Sequence, residues 1–190
     1  MPESEARFLS SPLPASEHRL AGYAARFNER ANIDGEYIEV IAPGAFAQSL
    51  KANDQLALLH HFNVAIIGRK SSGTLRLRED AVGLAVEIDL DPSTPDGATA
   101  LGLVRRGDLR GMSFGFWVRS ESWEEPKWPA LPVRTLHEVR LTEVSIVAYP
   151  AYGGTSIGLA SQTTGAASPG YRARLARLEA AEKAIGRPSR

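Results

Sequence analysis

Leu109-Arg110-Gly111-Met112-Ser113-Phe114-Gly115-Phe116-Trp117-Val118 sets a single serine between glycines at the start of an apolar, β-prone run. A serine hydroxyl is a poor nucleophile until a base takes its proton. Nearby glycines leave room for a substrate carbonyl and for amide donors to its oxyanion. Gly111-Met112-Ser113-Phe114-Gly115 also fits the G-x-S-x-G pattern, but that elbow needs an apolar strand before the serine and a helix after it. Here Arg105-Arg106-Gly107-Asp108-Leu109-Arg110 precedes and a strand follows, so the serine is read on a strand of a β-rich fold. With period-two alternation Met112, Phe114, Phe116 and Val118 share one face, and Ser113, Gly115 and Trp117 the other.

Upstream, Thr94 is an N-cap, Pro95 suits the first helical position, Asp96 complements the dipole, and Gly107 after Arg105-Arg106 supplies the stop. This helix delivers the chain into the loop before Ser113. Strands are expected over Leu20 to Phe27, Tyr37 to Ile41, Leu56 to His61, Leu75 to Arg78 and Val82 to Leu90, with a hairpin at Glu79-Asp80-Ala81-Val82-Gly83. Phe46 to Leu50, opened by Pro43-Gly44, is a short helix candidate. Ser120 to Arg134, with Trp123, Trp128 and three prolines, reads as an irregular insert: a long loop packed by its own aromatics, or a substrate-contacting flap. A long strand follows from Thr135 to Tyr149. On it Val139, Leu141 and Glu143 are expected on one face and Val144, Ile146 and Ala148 on the other, which leaves a carboxylate among apolar neighbours and in need of a partner.

The 190 residues suit one domain with tails: a flexible leader over residues 1–17, a core domain over 18–160, and a linker with a basic C-terminal helix over 161–190. Charge balances at 22 basic and 22 acidic residues, which gives no footprint for direct nucleic-acid binding. From Gln162 onward six basic residues stand against two acidic ones. Cysteine is absent, so there is no disulfide framework or thiol nucleophile. No apolar run approaches the roughly 18 residues of a membrane span, and Met1-Pro2-Glu3-Ser4-Glu5 lacks signal-peptide order; a soluble, intracellular protein is expected.

Two further segments carry groups that could activate Ser113. Leu58-Leu59-His60-His61-Phe62 offers either imidazole as a general base, and Leu141-Thr142-Glu143-Val144-Ser145-Ile146-Val147 offers a carboxylate to orient it. Adjacent strand residues point to opposite faces, so His60 and His61 are poorly placed to share a metal. Taken alone, Glu143 reads first as a core carboxylate paired with an arginine such as Arg69 or Arg110, and Glu138, Asp108 and Ser145 are its nearest rivals. Oxyanion donors are sought among the backbone amides from Ser113 to Gly115 or around Gly68-Arg69.

These segments in this order, together with Pro43-Gly44-Ala45-Phe46 upstream, Gly68-Arg69 after the histidines and Pro150-Ala151 after the long strand, resemble the prohead maturation protease family of tailed bacteriophages and gene transfer particles. The resemblance runs from about Leu20 to Leu159. It implies a serine endopeptidase with Ser113 as nucleophile, His61 as general base and Glu143 as the orienting acid, with no cofactor and no metal. It implies an α+β fold, a mixed or antiparallel β-barrel surrounded by a few helices and similar to herpesvirus assembly proteases. One departure is local: the family's histidine sits in an Asn-His-Asp context, whereas His61 has His60 and Phe62 as neighbours. The implied partners are the major capsid protein with its scaffolding region, and the protease itself through autoproteolysis at its two ends. Herpesvirus-type relatives act as dimers, so a homodimer is compatible, though no residue pattern requires one. The implied location is the immature procapsid in the cytoplasm of a bacterial host. Two alternatives from other classes are an inactive capsid assembly or scaffold protein and a small esterase.

Overall fold

The computed structural model describes residues 17–52, 54–60, 65–125 and 129–160. The leader before residue 17, His61, Trp128, and the linker and basic helix after residue 160 lie outside the described residues. Among the described residues ten strands and two helices follow in chain order: β1 Arg19–Arg26, β2 Ala31–Ile33, β3 Tyr37–Ile41, α1 Ala47–Ala52, β4 Leu56–Leu59, β5 Ile66–Arg69, β6 Leu75–Glu79, β7 Gly83–Asp89, α2 Pro95–Arg106, β8 Gly111–Glu124, β9 Val133–Val147 and β10 Ser156–Leu159. The class is mixed α+β, dominated by strands.

Four strands form an antiparallel sheet in the order β10-β1-β7-β6. The expected hairpin joins β6 to β7, and Asp80 Oδ1 accepts the N–H groups of Val82 and Gly83 at 2.8 and 3.1 Å, closing an Asx turn. The second sheet is organised by β9. Its one edge pairs antiparallel with β8 over nearly its whole length, while its other edge takes β3 in parallel at residues 133–136 and β4 in parallel at 143–146. Between those two short partners the edge of β9 would be left with unpaired amides. The segment around α1 fills the gap: Val139 N–H donates to Ala45 O at 2.9 Å and Leu141 N–H to Ser49 Oγ at 2.8 Å.

Both sheets contribute to one core. Leu20, Leu75, Leu84, Val86 and Ile88 come from the four-stranded sheet; Ile41, Met112, Phe114, Leu136, Leu141, Val144 and Ile146 come from the other, with Ala100, Leu101 and Val104 of α2. Phe46 lies at its centre, edge-on to Phe114 at 5.5 Å. α2 has the ends read from sequence. Thr94 Oγ1 accepts Gly97 N–H at 3.1 Å, and Gly107 takes the left-handed conformation at φ 75° that ends the helix.

Four expectations need correction. The closed barrel is not formed: among the described residues no ladder joins the two sheets, which are stitched at one seam by Ile157 N–H to Arg110 O at 2.9 Å and Met112 N–H to Thr155 Oγ1 at 3.1 Å. β10 has only four residues, while β8 follows β9 for fourteen. Second, much of the Ser120 to Arg134 insert is strand: β8 runs to Glu124 and β9 starts at Val133. Its pairing rests on polar and aromatic partners, Arg134 with Glu121 and Trp123 edge-on to Tyr37, so no apolar alternation marks it. Third, β4 ends at Leu59, because His60 has φ 65° and turns the chain. Fourth, the faces of β9 are not as alternation gives them, as shown below.

Candidate active site

Ser113 is the third residue of β8 and pairs with Ser145 of β9; Gly115 pairs with Glu143. At the next step the register shifts, Phe116 pairing with Leu141, so Thr142 is an extra residue in β9. Its Oγ1 donates to Gly115 O at 2.8 Å across the bulge. The bulge turns Val139, Leu141, Val144 and Ile146 to the same core face, each at most 1% exposed, and puts Glu143 on the opposite face with Ser145. Glu143 is therefore not buried among the apolar residues of its own strand. It shares a face with Ser113.

Glu143 is half-buried and held from two sides. Ser145, itself fully buried, donates its hydroxyl to Glu143 Oε2. Oε1 lies over Gly115, where an added β-carbon would meet it at 2.7 Å. The two arginines considered as its partners are engaged elsewhere: Arg69 Nε donates to Asp54 at 2.6 Å and Arg110 Nε to Gly107 O at 2.5 Å. Ser113 is half-buried, and among the described residues no side chain hydrogen-bonds its hydroxyl.

Ser113 and Glu143 are diagonal neighbours across the pair, a separation of about 7–8 Å between backbones. The next strand across, β4, brings Leu58 level with Ser145 and Leu59 level with Ile146. Its chain then reaches His60 at the same end of the sheet. His60 is exposed, and its N–H is fixed on Ile146 O at 3.0 Å. A left-handed histidine costs about 1–3 kcal/mol and is a feature that clusters at functional sites. His61, the other member of the pair, lies in the segment 61–64 outside the described residues. The structure thus brings Ser113 and Glu143 together and leads β4 toward them.

The family model for the caudovirus prohead serine protease matches residues 9–168. The chain belongs to that family. It is a serine protease of the capsid-maturation type, and the match takes in Ser113, the histidine pair and Glu143. Among curated proteins, none matches the protease. No helix among its described residues is long and apolar enough to cross a membrane.

Sequence reasoning about the protease missed Thr142 as the residue that turns Glu143 round. The signal was present: the apolar spacing Val139, Leu141, Val144, Ile146 steps by two, three and two, and the odd step marks a bulge. It also missed the hold on the strand bearing Ser113. Thr155, buried behind β8, accepts Met112 N–H and donates its own O–H to Tyr152 O at 3.1 Å. A lone threonine in a loop gives no sequence signal of that role.

Proposed function

We propose that Ser113, His61 and Glu143 are the catalytic triad of this protease, and that it cleaves the scaffolding region from the major capsid protein, and its own ends, inside the immature procapsid. The observation that carries the reading is the diagonal of Ser113 and Glu143 on one face, with the carboxylate fixed by Ser145 and the histidine-bearing end of β4 alongside. His61 takes the proton of Ser113 Oγ as that oxygen attacks the scissile carbonyl, then gives it to the leaving amine; water repeats the sequence to release the acyl group. Glu143 holds the imidazole tautomer whose free nitrogen faces Ser113, and stabilises the imidazolium. The hydrogen bond from Ser145 keeps the carboxylate in register for that task. A homodimer is compatible with this chemistry and is not required by it.

The test is the intact mass of the full chain over time, alone and mixed with the capsid protein encoded beside it. Discrete fragments should appear with the natural sequence and be absent with Ser113→Ala. His61→Ala should match Ser113→Ala, a loss of about 10⁴-fold or more in rate, while His60→Ala retains cleavage. Fragments undiminished in Ser113→Ala would defeat the nucleophile assignment, and loss with His60→Ala but not His61→Ala would exchange the two histidines.

A further inference from the structure

Ser113, Gly115 and Trp117 stand in a row on the face of β8 that carries the candidate site. Gly115 adds no side chain to that row, the space over it being taken by Glu143 Oε1 and Thr142 Oγ1, and Trp117 rises beyond it with 68% of its surface exposed. A groove of about 440 Å³ here is lined by Leu58 of β4, Gly115 and Trp117 of β8, and Thr142 and Glu143 of β9, among others. This volume lies within the roughly 300–1,000 Å³ of sites that receive ligand groups.

The chemistry of the walls selects the occupant. Thr142 donates its O–H to Gly115 O, and Glu143 Oε2 accepts the Ser145 O–H, so these polar groups already have partners within the protein. Leu58 and Trp117 present apolar surface. An acidic side chain would meet the Glu143 carboxylate and be repelled. A cation could lie on the Trp117 face, but it would compete with an imidazolium for the same carboxylate. A large apolar side chain meets neither objection and removes exposed tryptophan surface from water. At about 3.3 Å per residue, Gly115 and Trp117 lie about 7 and 13 Å along the strand from Ser113. An extended substrate has the same rise.

We propose that this groove is a specificity subsite, that it receives a large apolar side chain two to four residues from the scissile bond, and that Trp117 is the residue that selects it. The inference rests on Ser113 being the nucleophile. The test incubates the full-length protein with a synthetic mixture of random-sequence peptides and reads the cleavage products by mass spectrometry, for the natural chain, Trp117→Ala, Trp117→Phe and Ser113→Ala. The natural chain should enrich Leu, Met or Phe at one fixed position two to four residues from the cut. Trp117→Ala should lower that enrichment about tenfold, with Trp117→Phe intermediate and the melting temperature of both unchanged. Ser113-dependent cleavage with no such enrichment, with a basic preference there, or with enrichment equal in Trp117→Ala, overturns the subsite alone. Cleavage that persists in Ser113→Ala overturns the nucleophile assignment and the subsite with it.

Discussion

The position of the Glu143 carboxylate depends on what residue 115 lacks. A β-carbon there would meet Glu143 Oε1 at 2.7 Å, Thr142 Oγ1 at 3.0 Å and Glu143 Cγ at 3.1 Å. The nearest of these is the end of a flexible side chain, so an alanine would displace the carboxylate without breaking the strand. Gly115→Ala should therefore leave Tm within about 3 °C, a change of less than about 1 kcal/mol. Cleavage should fall about 100-fold, the effect expected when a catalytic group is misplaced by an ångström. Parallel measurement of Tm and of the rate of capsid-protein cleavage checks both halves. Unchanged cleavage would mean that Glu143 is not needed where it lies, and would remove it from the triad. From the sequence, Gly115 reads as keeping open the face of Ser113; in the fold it is the seat of the acid, a role set by the strand across from it.

The outer face of the four-stranded sheet is held by an ionic ladder spanning β1, β7 and β6. Arg76 grips Asp89 with two hydrogen bonds, at 2.7 and 3.0 Å, and reaches Glu87 at 3.0 Å, while Arg19 approaches Asp89 from the other side at 2.6 Å. The Arg76 hydrogen bonds, then those of Arg19, hold the Asp89 carboxyl down to about 2 against partial burial, which pushes it up. A carboxyl whose folded pKa lies below its unfolded value of about 3.9 stabilises fully above that value and loses its contribution as pH falls toward 2. Because Asp89 is about a third exposed, solvent screening reduces the contribution to about 1 kcal/mol. Asp89→Asn should lower stability by that amount at pH 7 and converge with the natural chain near pH 2, as read from urea unfolding at a series of pH values; a constant difference across the range would sink the assignment. This ladder also shows what was legible. Leu75-Arg76-Leu77-Arg78 alternates with period two because one face meets the core and the other water, and α2 declares both of its ends. By contrast β2, β5 and β10 have three or four residues, too few for a period to emerge. The far half of β8 and β9 pairs through charged and aromatic side chains, and the face of Glu143 is decided by one extra residue, so neither follows from alternation. Ser113 and Glu143 were legible as residue types in an order; their sharing of a face is marked only by the one odd step in the apolar spacing of β9.

At the scale of the molecule, one buried carboxylate ties the loop after β9 to the second sheet. Glu39 of β3 is 4% exposed; it accepts the Tyr152 hydroxyl on Oε1 and Arg134 Nη1 on Oε2 at 3.0 Å. Arg134 continues to Glu121 on β8, its Nε at 2.7 Å, and its guanidinium lies over the rings of Trp123 and Tyr37. Burial first, and then the charge of Glu39, push the Tyr152 hydroxyl well above its ordinary value, so it remains a donor throughout the physiological range. The loop that carries Tyr152 also carries the Thr155 hydrogen bond to Met112, one residue before Ser113. The network therefore bears on how firmly the start of β8 is held. Tyr152→Phe keeps the ring and its packing on Phe114, 5.5 Å away, and deletes only the hydroxyl. Glu39 then keeps Arg134 but loses its second donor in a buried site, at a cost of about 1–3 kcal/mol. For a domain of this size that corresponds to a fall in Tm of roughly 3–10 °C. Cleavage measured well below the new Tm should remain within about twofold, because Ser113, Ser145 and Glu143 keep their pairing. A Tm within about 1 °C of the natural chain would show that Arg134 alone satisfies the carboxylate, whereas a large loss of cleavage with the fold intact would extend the catalytic requirement from the face of β8 and β9 to the loop behind it.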